Sequence, residues 1–248
     1  MVYSYLLDSN LYVITDSSDN PIEGVVKMSA LTWDGTGTRY YENGVDHGVL
    51  YVQDDTGSYG TGVAWNGLTA VTESPDGAEA NDIYADNIKY ASLRSTETFG
   101  CTIEAYTYPD EFAECDGSAA IADGVYFGQQ YRQSFGFCYR TNIGNDTGTT
   151  SDDGYKIHLV YGATASPSDK SYETVNDSPD AITFSWEVDT TPVTVDGYKA
   201  VSTIVIDSLK ADATLLATLE DTLYGSDSSE PTLPLPDEIL TMFAAETA

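Results

Sequence analysis

Residues 59–117 read YGTGVAWNGLTAVTESPDGAEANDIYADNIKYASLRSTETFGCTIEAYTYPDEFAECDG. Tyr59, Thr61, Val63 and Trp65 share one face of a period-2 pattern, and Gly60, Gly62 and Ala64 share the other. That is a strand with a bulky side and a nearly bare side, open to close approach by a second layer. Asn66-Gly67 suits a tight hairpin turn into Leu68–Glu73, because both central residues can adopt positive φ. After the break at Ser74-Pro75-Asp76-Gly77 come two more strands, Asp82–Asp86 and Ile88–Leu93. Phe99–Tyr108 is the cleanest alternation: Phe99, Cys101, Ile103 and Ala105 oppose Thr102, Glu104, Tyr106 and Tyr108. Pro109–Phe112 then has the composition of a helix start, with proline and acids in the first turn.

The same grammar extends in both directions. Upstream, Leu11–Thr15, Gly24–Trp33, and a hairpin of Arg39–Glu42 with Gly48–Gln53 around Asn43-Gly44 read as strands. Downstream, Gln133–Arg140, Tyr155–Tyr161, Ala181–Val188 and Ala200–Asp207 alternate, while Ser118–Gln130 reads as irregular. Eight Asn-Gly or Asp-Gly dipeptides punctuate these runs, which argues for antiparallel rather than parallel pairing. Asp212–Tyr224 differs: Leu215, Leu216, Leu219 and Leu223 recur at helical spacing, with Gly225 placed as a C-cap. The predicted fold is mainly β, an antiparallel β-sandwich or partly closed barrel with one flanking α-helix. Residues 1–225 form the domain, with 1–35 an N-terminal segment of unassigned role. Three prolines among residues 231–236 predict that 226–248 leaves the domain as an extended arm, tipped by Ile239, Leu240 and Phe243.

Composition narrows the function. Forty Asp and Glu against ten Lys and Arg give a formal net charge of −30. Binding nucleic acid through its phosphates needs clustered cations, and the sequence holds none. No apolar run reaches the ~20 residues of a membrane span, and the first residues lack the basic and apolar regions of a signal peptide. Three cysteines without zinc spacing read as reduced, buried thiols. His47 and His158 lie outside any nucleophile or metal motif, and His158 alternates on a strand as a structural residue. Asn145–Gly148 and Ser151–Gly154 lack the EF-hand spacing and read as solvated turns. The chain therefore reads as neither an enzyme nor a cofactor or metal protein. Nineteen tyrosines leave two binding readings open: rings buried at protein interfaces, or a carbohydrate-binding or adhesion module that stacks sugars on exposed rings.

YADNIKY, the strand after it, and EAYTYPDEFAECDG resemble the major tail proteins of phages with long non-contractile tails. The likeness runs from about Tyr40 to Gly225 and takes in RYYENGVDHGVLY, GYKIHLVYGATASPS and SPDAITFSWEV. It implies a virion structural protein, a tail tube subunit assembled in the host cytoplasm. Its subunits would form hexameric rings that stack into a conduit for DNA ejection. It also implies tape-measure, tail-tip and tail-terminator proteins as partners, and genomic DNA that transits without specific binding. From the residues themselves, the interval between Arg39 and Lys89 has no cation. Within it, Glu73, Asp76, Glu79, Asp82 and Asp86 are the candidate bore or inter-ring residues. Tyr84, Ile88 and Tyr90 are the candidate interface residues that would bury apolar surface there.

Overall fold

A computed structural model describes residues 31, 33–77, 79–148, 153–174, 177 and 180–244. The predicted strand Leu11–Thr15 lies outside these residues, as does Gly24–Trp33 apart from Leu31 and Trp33, which are not in a strand. The chain divides into two units, 1–39 and Tyr40–Ala248, and the fold described here is the second. It is mainly β and antiparallel, and its sheet is not a closed barrel.

The strands of the main sheet are β1 (Tyr40–Val52), β2 (Val63–Trp65), β3 (Leu68–Glu73) and β6 (Gly100–Ala105), with β9 (Phe135–Asn145), β10 (Gly154–Ala165), β11 (Phe184–Thr190) and β12 (Thr203–Asp207). Two hairpins stand apart as two-stranded sheets, β4 (Ala80–Ala85) with β5 (Ile88–Arg94), and β7 (Ala119–Ala122) with β8 (Val125–Phe127). Among the described residues there are three helices: α1 (Phe112–Cys115), which follows the predicted helix start at Pro109–Phe112, the predicted flanking helix α2 (Ala213–Tyr224), and α3 (Pro236–Ala244), which the sequence reading lacks. The sheet path runs β2-β1-β9-β10-β11-β6-β3, with β12 added on β10.

Its two end strands are neighbours in sequence. β2 pairs with β1, and β3 pairs with β6, so Asn66-Gly67 is not the hairpin turn that the dipeptide suggests. Only Gly67 has positive φ there, and its carbonyl accepts from Tyr106 N. The two residues carry the chain from one end of the curled sheet to the other. The predicted hairpin at Asn43-Gly44 is likewise a single long strand. β1 runs unbroken along β9 and absorbs two extra residues as irregularities, between Asn43 and Asp46 and between Asp46 and Val49. Positive φ at Gly44 and His47 falls inside them, so the glycine serves a bulge and not a reversal.

The sheet separates two cores by strand alternation. On the inner face, Leu50, Trp65, Ile103, Phe137, Val160 and Trp186 pack together, closed over by Phe112 and Cys115 of α1. On the outer face, Tyr51, Cys138, Leu159 and Tyr161 meet Leu216, Leu219 and Leu223 of α2. Asp212 caps α2 by accepting from Thr214 N and Leu215 N, and Gly225 ends it at positive φ.

The segment after α2 is part of this second core rather than an arm leaving the domain. Leu233 and Ile239 are buried, and Tyr161 donates its hydroxyl to the Pro234 carbonyl at 3.0 Å. Gly62 N donates to Pro231 O at 2.8 Å, tying this stretch to the C-terminal segment, while the bare side of Gly62 faces the Tyr51 and Val49 side chains of β1. The prolines do not prevent a helix, because Pro236 is the first residue of α3, where its missing N–H costs nothing. Glu238 accepts from Leu235 N at 2.8 Å and caps that start.

Candidate assembly surfaces

Among the described residues, the β4–β5 arm gathers five exposed large apolar side chains, Ile83, Tyr84, Ile88, Tyr90 and Leu93. Ser74 N donates to Gly100 O, and Asp76 and Thr98 exchange backbone hydrogen bonds of 2.9 and 2.8 Å, which clamp its base between β3 and β6. Its tip is Asp86-Asn87, with φ of 50° and 62°. Positive φ at both central residues makes the tight primed turn that fits a hairpin's twist. Asx residues tolerate that region, and the turn escapes a search confined to Asn-Gly and Asp-Gly.

The register sorts the arm's faces. Asp82 pairs with Ser92 and Ala80 with Arg94 on one side, while Ile83 opposite Ala91, with Leu93 and Ile88, lies on the other. An irregularity between Ile83 and Tyr84 leaves Tyr90 as the extra residue on β5. Lys89 Nζ lies 2.7 Å from the Asp82 carboxylate, and that hydrogen bond, joined by one from Ser92, holds the Asp82 carboxyl below the usual carboxylate range.

The structure therefore places the predicted site residues as follows. Asp76 is at the arm's base, Glu79 is exposed just before β4, Asp82 is midway and Asp86 is at the tip, with Ala78 outside the described residues. Tyr84, Ile88 and Tyr90 are 68%, 63% and 74% exposed. Glu73 belongs elsewhere. It ends β3 and accepts from the buried Tyr139 hydroxyl at 2.7 Å. His158, also buried, stacks on Tyr139 with ring centroids 4.6 Å apart and shares a 3.0 Å hydrogen bond between Nε2 and Thr141 Oγ1. Its Nδ1 lies 3.4 Å from Glu73, and the Glu42–Lys156 ion pair is close by. Burial pushes the imidazole below its ordinary pKa, against the raising pull of Glu73 and Glu42.

The sequence reading missed two features. Within Ser118–Gln130, which reads as irregular, Ala119–Ala122 and Val125–Phe127 form the β7–β8 hairpin, which exposes Ile121, Tyr126 and Phe127. The cation at the end of the acidic interval, Lys89, folds back onto Asp82, which only cross-strand register reveals. At Asn145–Gly148 the Asn145 side chain accepts from Thr147 N and Gly148 N, which is the bonding of a turn. Among the described residues, no helix is long and apolar enough to cross a membrane.

No protein family model and no curated protein matches the chain. Among the solved structures similar to it are two from the PVC extracellular contractile injection system in its extended state. One, of the sheath/tube terminator, shares 12% identity over 71% of this chain and 99% of its own, with a TM-score of 0.29. The other, of the sheath-tube complex, shares 13% identity over 65% of this chain and 88% of its own, with a TM-score of 0.28. These belong to a contractile system, unlike the non-contractile tails that the sequence resembles, and at such scores the likeness carries no argument about function.

Proposed function

We propose that the chain is a structural subunit of a phage-type tail, and more narrowly a tail tube subunit whose rings stack into a conduit for DNA. The observation that carries this reading is the β4–β5 arm. A two-stranded hairpin is marginal in water on its own, and this one exposes Ile83, Tyr84, Ile88, Tyr90 and Leu93. Contiguous exposed apolar surface on a soluble chain marks an interaction site. The sequence resemblance supplies the kind of assembly, hexameric rings met by tape-measure, tail-tip and tail-terminator proteins.

The acidity fits a conduit. A bore lined with carboxylates repels a phosphate backbone and makes none of the lasting contacts that clustered Lys or Arg would make. DNA would then pass without specific binding.

Negative-stain micrographs and sedimentation of the purified protein test the reading. Rings or hollow tubes at physiological salt are expected. A monomer that persists at high concentration, with and without tape-measure or tail-tip partners, overturns it. The exposed rings of Tyr84 and Tyr90 also favour sugar stacking, so a glycan-array signal from such a monomer would point to a carbohydrate-binding module instead.

A further inference from the structure

The fold has a second incomplete surface, on β12. Tyr161 N donates to Ser202 O and Ser208 N donates to Tyr155 O. With the antiparallel register between them, residues 202, 204, 206 and 208 bond to β10, and Thr203 and Val205 turn their backbone groups the other way. Among the described residues no strand pairs with Thr203 or Val205, while Val201 exchanges backbone hydrogen bonds with Val193 and the Asp207 carbonyl accepts from Lys210 N and Ala211 N, so the open stretch of that edge is 203–205. Beside it lies an apolar groove of about 680 Å³ between β12 and α3, lined by Ile204, Ile206, Ile239, Leu240 and Phe243. Tyr198, on its rim, is 70% exposed.

Charge singles out both surfaces. Residues 80–94 carry two acids and two cations and are neutral, on a chain whose net charge is −30. Residues 197–211 with α3 carry Asp207, Asp237 and Glu238 against Lys199 and Lys210, a net charge of −1. Two copies of so acidic a protein repel at most approaches, and these stretches meet with little of that cost. Each also lacks what the other has. The arm is a thin sheet with free edges and an uncovered apolar face, and β12 is a free edge beside an uncovered apolar groove.

We propose that the β4–β5 arm of one copy adds to the outer edge of β12 of a second copy, laying Ile83, Ile88 and Leu93 over the groove beside α3. Strand addition satisfies the outward backbone groups of Thr203 and Val205, and the groove selects the apolar face. Donor and acceptor are different surfaces, the arm at the β3–β6 end of the sheet path and β12 on β10. Such a heterologous contact propagates and closes into a ring where the rotation allows. The proposal rests on the tube reading for its second copy and adds the acceptor to it.

Cross-linking tests it. Burial pushes the thiols of Cys101, Cys115 and Cys138 up to about 12, so a maleimide spares them. Tyr90→Cys and Val205→Cys each place a reactive thiol at an exposed position. With a short bis-maleimide, a mixture of the two variants should give a cross-linked dimer, neither variant alone should, and the double variant should give a ladder. Tyr198→Cys replaces the second site if Val205→Cys folds poorly. Dimers from Tyr90→Cys alone, through arm–arm pairing, overturn the proposal. Rings or tubes without mixed cross-links overturn it and leave the tube reading standing. A ladder without rings or tubes in micrographs upholds the docking and overturns the tube. Neither cross-links nor assembly overturns both.

Discussion

The Tyr139 hydroxyl donates to the Glu73 carboxylate at 2.7 Å, joining β9 to β3, two strands that do not pair. β3 is the last strand of the sheet path, so this bond ties its end to the middle of the sheet. A hydrogen bond to a charged group contributes about 1.5–3 kcal/mol when buried, and the half-exposed Glu73 lowers that. Tyr139→Phe should therefore destabilise the fold by about 1 kcal/mol in urea unfolding, with an unchanged denaturant slope. Since Glu73 is engaged here, Glu73→Gln should act on stability and leave assembly unaffected. A change in assembly at wild-type stability would return Glu73 to the bore.

His158 makes the same region sensitive to acid. The groups that face it are Glu73 from β3, Glu42 from β1, Lys156 on its own strand, and Tyr139 and Thr141 from β9. Its folded-state pKa is depressed, chiefly by burial, so below about 6.5 the unfolded chain binds the proton more readily. Its contribution to stability is therefore present above that pH and lost as pH falls through it. The slope of stability against pH between about 5 and 7 should flatten in His158→Gln. An unchanged slope would mean that Glu73 and Glu42 offset the burial.

The C-terminal segment offers a test of packing. Leu233 is buried against the outer face, and a Cβ added at Gly136 would come within 2.2 Å of its Cδ2. Gly136→Ala should displace Leu233 and destabilise by about 1–3 kcal/mol, and Leu233→Ala by about 2–5 kcal/mol. Removing 226–248 should lower the melting temperature of the isolated monomer. Were the truncated monomer to melt like the full chain, the segment would be an arm after all.

What the sequence reveals follows from the range of the interactions. The alternation of Cys101, Ile103 and Ala105 and the helical spacing of Leu216, Leu219 and Leu223 are local patterns, and both face the core as read, while Leu215 stays outside it. Gln133–Arg140 also reads correctly as a strand, although Phe135 to Tyr139 are buried on both faces and polarity no longer marks a side. Pairing is not local. Nothing in Asn66-Gly67 reports that the strands on either side bond to β1 and β6. The docking of Leu233 depends on a glycine nearly a hundred residues upstream. The arm's residues were legible as candidates by exclusion, being acidic or apolar with no core to enter, but its amphipathic faces needed the register.

The acids of the arm carry the last prediction. Asp76, Glu79, Asp82 and Asp86 run from base to tip of an element that leaves the sheet, so assembly would bring them near the carboxylates of neighbouring acidic copies. Two charges 4 Å apart in water repel by about 1 kcal/mol, and the screening length shortens from about 10 Å at 0.1 M salt to about 3 Å at 1 M. Burial of Tyr84, Ile88 and Tyr90, at roughly 25 cal/mol per Å², opposes that repulsion and is not weakened by salt. Assembly followed by light scattering should strengthen as salt rises across this range. In the triple variant Asp76→Lys, Glu79→Lys, Asp82→Lys, the substituted side chains start at the surface, so circular dichroism should stay that of the wild type. Lysines facing the bore would hold phosphates as DNA passes, and ejection should slow or stall. Lysine at 82 would also face Lys89 in place of their 2.7 Å pair, so a control, Asp82→Asn, separates loss of that pair from gain of positive charge. Normal ejection by the triple variant, or a tube structure with these acids on its outer wall, would remove the arm from the bore and leave its docking to a neighbour untouched.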